Sequence, residues 1–124
     1  MVFIDANAIL RYILCDDADM AYKVRELIAK TKVTVRYEVL SEVVYVMNKV
    51  YSIPRSELAD YIKTFLRLSN VETESEEVLS LALKAYAELN MDIVDCMLYG
   101  FRAIEGHDVF TFDKKLNSVI NKLA

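Results

Sequence analysis

Glycine and proline are nearly missing from this chain, at two and one in 124 residues. Together with 55% hydrophobic residues, that scarcity excludes a disordered or low-complexity chain. It also excludes a collagen-like repeat. Tryptophan is absent, and the single histidine, His107, lies in a Gly106-His-Asp108 turn with no nucleophile paired to it. It reads as a surface turn residue. The two cysteines, Cys15 and Cys96, have neither CxxC spacing nor a histidine cluster, which excludes a disulfide scaffold and a zinc site. They read as reduced, buried thiols of a cytoplasmic protein, and the position of Cys96 beside Asp95 does not make it reactive. No basic region opens Met-Val-Phe-Ile, so no export signal is expected. No apolar run approaches the ~18 residues of a membrane span, so no membrane partner is expected. An excess of basic charge is lacking too, with 15 Lys+Arg against 19 Asp+Glu and a net charge of −4. Taken alone, this argues against a nucleic-acid binder, whose usual footprint is basic.

What is present is a regular alternation. Val2-Phe-Ile4 is a short apolar run that predicts a buried strand ending at Asp5. Ala8, Ile9, Tyr12 and Ile13 then follow at helical spacing. Asp16, Asp17 and Asp19 are N-cap candidates or early acids for a second helix through Ala21, Val24, Leu27 and Ile28, ending near Lys30. Val33–Val35 predicts a second strand, and Glu38 to about Tyr51 a third helix. Pro54 suits the first turn of a helix running to about Leu68, and a short strand is expected near Val71. Either Thr73 or Ser75 can cap the next helix, whose acids Glu76 and Glu77 favour its positive end. The expected buried stripe is Val78, Leu81, Ala82, Ala85 and Leu89. A helix from about Asp92 to Glu105, a stop at Gly106, a last strand Val109–Phe112 and a terminal helix complete the chain. The expected fold is α/β: a three-layer α/β/α sandwich with a short, mainly parallel central sheet, as one domain over residues 1–124.

Ligands of such sheets bind outside the carboxyl ends of the strands, so the polar residues at those ends carry the information. Asp5 ends the first expected strand and Asp113 the last. Glu42 lies within Leu40-Ser-Glu-Val-Val44, and Asp95 lies within an apolar helix where an unpaired acid is expensive to bury. Asp92 is three residues before Asp95 and shares its helical face. Singly, each has a plainer role. Asp5 and Asp113 can be helix N-caps, Asp92 a first-turn acid, and Glu42 a surface partner of Lys49 or Arg36. Jointly, four carboxylates without matching arginines repel unless a divalent cation with oxygen ligands, Mg²⁺ or Mn²⁺, lies between them. One or two such ions can activate water and stabilise the oxygens of a phosphodiester under attack.

These residues resemble the PIN domain, the nuclease module of the VapC-like toxins of bacterial and archaeal toxin–antitoxin pairs. Val-Phe-Ile-Asp5-Ala-Asn7 is similar to the first signature of that family, and Ser41-Glu42-Val-Val to its helical acid. Asp92-Ile-Val-Asp95-Cys-Met-Leu resembles its later helix start, and Thr111-Phe-Asp113 its closing Thr-x-Asp. The resemblance spans essentially the whole chain in order. It implies a metal-dependent endoribonuclease with Asp5, Glu42, Asp95 and Asp113 as catalytic metal ligands and Mg²⁺ or Mn²⁺, as one or two ions, as cofactor. Asp92 would be auxiliary, with Asn7 and Thr111 supporting the ligands through hydrogen bonds. The implied partners are an RNA substrate, a second copy in a homodimer, and a small VapB-like antitoxin whose tail lies across the acidic groove. Cys96 and Gly100 depart mildly from the family, which commonly has alanine at both positions.

Three alternatives stand beside that reading. A PIN domain can serve RNA processing instead of acting as a toxin, or can be a degenerate binding module. Receiver and haloacid-dehalogenase phosphotransfer domains also place an aspartate after the first strand. They want a second acid nearby, where this chain has Asn7. Arg11, Arg36, Lys49, Lys114 and Lys115 are candidates for phosphate contact, and each is equally an ordinary solvated cation. Setting the four acids aside leaves 15 positive against 15 negative side chains (19 − 4). The acidic balance therefore locates a metal site more than it argues against RNA.

Overall fold

The computed structural model describes residues 2–123, which fall into two compact units, Met1–Glu74 and Ser75–Ala124. The first runs β1 (Val2–Phe3), α1 (Ala6–Leu14), α2 (Ala18–Lys30), β2 (Val33–Val35), α3 (Tyr37–Lys49), α4 (Arg55–Leu66) and β3 (Val71–Thr73). The second holds α5 (Glu76–Leu89), α6 (Ile93–Glu105) and α7 (Lys114–Asn121). The strands form one parallel sheet in the order β1-β2-β3, with Val2 opposite Val33 and Val33 opposite Val71. This is the expected α/β class with a short parallel sheet. Val33 and Val35 of the central strand share one face and are fully buried, while Thr34 on the other face is half-buried.

Local chemistry sets the helix ends. Asp17 Oδ1 accepts from Met20 N at 3.0 Å and starts α2. Pro54 occupies the N-cap of α4 instead of its first turn, and α4 stops at Leu66, two residues before the expected end. Ser75, not Thr73, caps α5, accepting from Val78 N at 3.2 Å. The buried face of α5 also differs from expectation. Leu79, Leu83 and Tyr86 are buried with Val78, Ala82 and Ala85, while Leu81 and Leu89 are only half-buried. Cys15 is exposed, correcting the expectation of a buried thiol. It adopts a left-handed conformation (φ 52°) as the C-cap of α1, a position outside the apolar helix face. Cys96 is buried as expected.

Arg11 links three segments of the first unit. Its guanidinium donates to Asp16 at 2.8 Å and to the Tyr51 hydroxyl at 3.2 Å. That arrangement ties α1 to the α1–α2 turn and to the end of α3. Arg11 is thereby committed to an internal network, not held free for a phosphate.

The expected last strand is not formed. Val109–Phe112 has no strand partner among the described residues. The reason is local. Thr111 Oγ1 accepts from Asp113 N at 3.0 Å, and Asn117 Nδ2 donates to the Thr111 carbonyl at 2.9 Å. One backbone carbonyl of the segment and the N–H that follows it are taken by nearby side chains. High β-propensity in Val-Phe-Thr-Phe reflects fit to neighbouring strands, and without them it does not make a strand.

Two substitutions check this description of the α5 entry. Ser75→Ala should cost about 0.5–2 kcal/mol by orphaning a first-turn N–H. Thr73→Val should be neutral or slightly stabilising, because the buried Thr73 Oγ1 has no hydrogen-bond partner. Urea denaturation midpoints read both; equal effects from the two variants would reassign the cap.

Candidate active site

In the first unit the carboxyl ends of the parallel strands lie at one edge, and polar residues follow each strand there. Asp5 follows β1 after the buried Ile4, Arg36 follows β2 and Glu74 follows β3. Asp5 is the N-cap of α1, its Oδ1 accepting from Ala8 N at 2.9 Å. The plainer role considered for it is therefore real, but it uses only one carboxylate oxygen. Oδ2 is left for another partner, and the cap fixes the side chain's direction. Asn7 is exposed in the first turn of the same helix.

Arg36 hydrogen-bonds Glu38 and lies 3.9 Å from Glu74. The hydrogen bond from Arg36, assisted by its charge, holds the Glu38 carboxyl below the usual carboxylate range. Glu42 is exposed in α3, on the face opposite buried Leu40, Val43, Val44 and Met47. Among the described residues no ion pair engages it, so the Glu42 pairing with Arg36 or Lys49 considered above is not made. A carboxylate left unpaired while the nearby arginine serves Glu38 and Glu74 is available for other chemistry.

In the second unit three acids influence one another. Asp92 is the N-cap of α6 without using its side chain in a capping bond. Asp95 lies in the first turn of α6, not in mid-helix as the apolar run suggested, and is half-buried. Asp113 is not at a strand end; it caps α7 through Oδ1, which accepts from Leu116 N at 2.8 Å. Thr111 braces it from the preceding residues through the bond to Asp113 N. Burial first, then the negative charges of Asp113 and Asp92, pushes the Asp95 carboxyl above its ordinary value. Among the described residues, no cation of the second unit pairs with Asp95. Arg102 pairs with Asp108, and Lys114 and Lys115 form no ion pair among the described residues.

The donor set consists of hard carboxylate oxygens, which suits Mg²⁺ or Mn²⁺ rather than a thiophilic metal. Among the described residues, no three such side chains are gathered tightly enough to ligate an ion as they stand. The chemistry of the donors fits a divalent cation.

A PIN domain family model matches residues 2–122. The chain belongs to the PIN domain family. No curated protein and no solved structure matches it. PIN domains are nucleases as a class, and typical members use divalent metals, so nucleic acid is the substrate class of this PIN domain. Among its described residues no helix is long and apolar enough to cross a membrane.

Two features of this PIN domain escaped the sequence reading. One is the Arg11–Asp16–Tyr51 network, whose members are up to 40 residues apart and carry no spacing signal. The other is the exposure of Phe110 and Phe112, at 88% and 90%. The sequence reads Val109–Phe112 as a strand, whereas the structure leaves it unpaired among the described residues.

Proposed function

We propose that this PIN domain is a metal-dependent endoribonuclease and the toxin of a VapBC-like pair. Asp5, Glu42, Asp95 and Asp113 are its catalytic acids. The observation that carries this reading is Asp95: half-buried, raised by two neighbouring carboxylates, and paired with no cation of its own unit among the described residues. Such an arrangement disfavours the charged form in the free protein, and a bound cation of opposite sign relieves it. One or two Mg²⁺ or Mn²⁺ ions would supply charge stabilisation at a phosphodiester and a water acidic enough to attack it.

The chain's own residues orient and brace. The N-terminal turns of α1 and α7 fix Asp5 and Asp113 through their capping bonds. Thr111 holds the backbone of Asp113, and Asp92 adds negative charge beside Asp95. Asn7 supports the acids through its side-chain amide. A cytoplasmic homodimer, held inactive by a small antitoxin lying over the acidic residues, completes the proposal.

The test is cleavage of single-stranded RNA with Mg²⁺ or Mn²⁺, with and without chelator. Cleavage should disappear with chelator and return with added metal. Asp5→Asn and Glu42→Gln should each lower the rate by about 100-fold or more, since each removes charge from the acidic set. Cleavage that survives chelation would sink the proposal.

A further inference from the structure

Phe110 and Phe112 are the two most exposed large apolar side chains among the described residues, at 88% and 90%, and they directly precede Asp113. The segment that presents them is not loose. Asn117 of α7 holds the Thr111 carbonyl, and Thr111 holds Asp113 N, so the residue between the two rings is pinned to α7. The rings meet edge to face, with centroids 5.3 Å apart and planes at 82°. Lys114 and Lys115 follow at once, exposed and in no ion pair among the described residues. Two open aromatic faces, then a carboxylate, then two free ammonium groups make a short, pinned and chemically mixed surface.

We propose that Phe110 and Phe112 are a stacking platform for the bases of single-stranded RNA next to the phosphate being cut, a proposal that rests on the nuclease reading above. Area separates this occupant from a second copy of the chain. A phenylalanine side chain offers roughly 150–250 Å², so the four rings of two protomers give roughly 600–1,000 Å², short of the ~1,200–2,000 Å² total of a stable interface. The same surface suits two unpaired bases, because aromatic stacking acts base by base and tolerates any sequence. The adjacent lysines match a phosphate backbone and not an apolar peptide. Near-perpendicular rings cannot share one continuous stack, so the two bases take separate faces and the strand bends between them. An exposed, bent phosphodiester beside Asp113 is what an endonuclease needs.

Phe110→Ala, Phe112→Ala and the conservative Phe110→Tyr and Phe112→Tyr variants test this by fluorescence anisotropy with labelled RNA. Chelator is present so that no strand is cut, and circular dichroism checks folding. Each alanine variant should bind single-stranded RNA about 5- to 150-fold more weakly, and each tyrosine variant should keep near wild-type affinity. For the same RNA annealed to its complement, the alanine variants and wild type should bind alike, because paired bases cannot reach the rings. Unchanged single-strand binding by both alanine variants overturns the platform. So does a shift in sedimentation coefficient in those variants, which would assign the rings to a second copy. Wild-type cleavage with metal, together with unchanged binding in the variants, removes only the platform. No wild-type cleavage under any metal removes the nuclease reading itself.

Discussion

Asp95→Asn should be nearly inactive as a nuclease and yet more stable than the native protein. The two effects share one cause. Asp95 holds its proton more tightly in the folded chain than in the unfolded one, through burial and then through the charges of Asp113 and Asp92. A folded-state value raised above the unfolded one means that the folded state binds more protons over the interval between them. Stability is therefore greatest below the ordinary carboxylate range and falls as pH rises through the raised value. At neutral pH the ionised Asp95 is a net cost to the fold, and the isosteric amide removes it. Because the side chain is only half-buried, the gain is limited by solvent screening to about 1 kcal/mol or less, a few degrees in Tm. The variant should also lose the part of the pH dependence in which stability falls as pH rises through the raised value of Asp95. Cleavage should fall by about 100-fold or more, since the amide cannot supply charge to a cation. Added Mg²⁺ should raise the Tm of the native protein and move that of the variant much less. Normal cleavage by Asp95→Asn would remove Asp95 from the catalytic set, while a lower Tm would refute the electrostatic account.

The acids were visible in the sequence because each interrupts an apolar pattern. Asp5 closes Val-Phe-Ile, Glu42 breaks the run around Leu40 and Val44, and Asp95 stands among Ile93, Val94 and Cys96. Their exact footing was not visible. The expected helix start near Asp92 holds, and it puts Asp95 in the first turn of α6, a footing that its apolar neighbours from Met91 to Leu98 conceal. Asp5 and Asp113 illustrate why separate readings of one residue need not compete. Each caps a helix with one oxygen and leaves the other open.

The fold was legible where burial enforces a period and illegible where a polar side chain decides. Central strand Val33–Val35 and the helices around Val24, Val44 and Ile62 announce themselves through residues that are buried in the structure. The stripe of α5 was misplaced because its leucines at positions 79, 81, 83 and 89 permit more than one face, and only packing selects Leu79 and Leu83. Val109–Phe112 failed for a different reason. Its residue types favour strands, but Thr111 and Asn117 satisfy its backbone locally. A hydroxyl two residues before a helix-capping aspartate, with an asparagine four residues beyond it, is a weak signal in composition and a decisive one in hydrogen bonding.

Gly100→Leu should be the most destabilising single substitution on α6, costing about 3 kcal/mol or more. A glycine inside an apolar helix is itself unfavourable by about 1 kcal/mol relative to alanine. The compensation lies in how closely α5 approaches. A Cβ built on Gly100 would stand 2.9 Å from the Val78 carbonyl oxygen and 3.2 Å from Val78 Cγ1. The side-chain methyl can yield by a few tenths of an ångström, but the carbonyl belongs to the first turn of α5 and cannot move without its helix. In alanine, the propensity gain opposes that clash, so Gly100→Ala should fall between neutrality and about 2 kcal/mol of destabilisation. Leucine adds volume to a buried position and must part the two helices. The displacement would also reach the chemistry, because Asp95 sits five residues earlier on the same helix. Misplacing a catalytic group by about 1 Å can cost on the order of 100-fold in rate. Urea midpoints across the glycine, alanine and leucine series, paired with cleavage rates under fully folded conditions, separate the two consequences. A leucine variant with the native midpoint would show that α5 and α6 do not depend on the missing side chain.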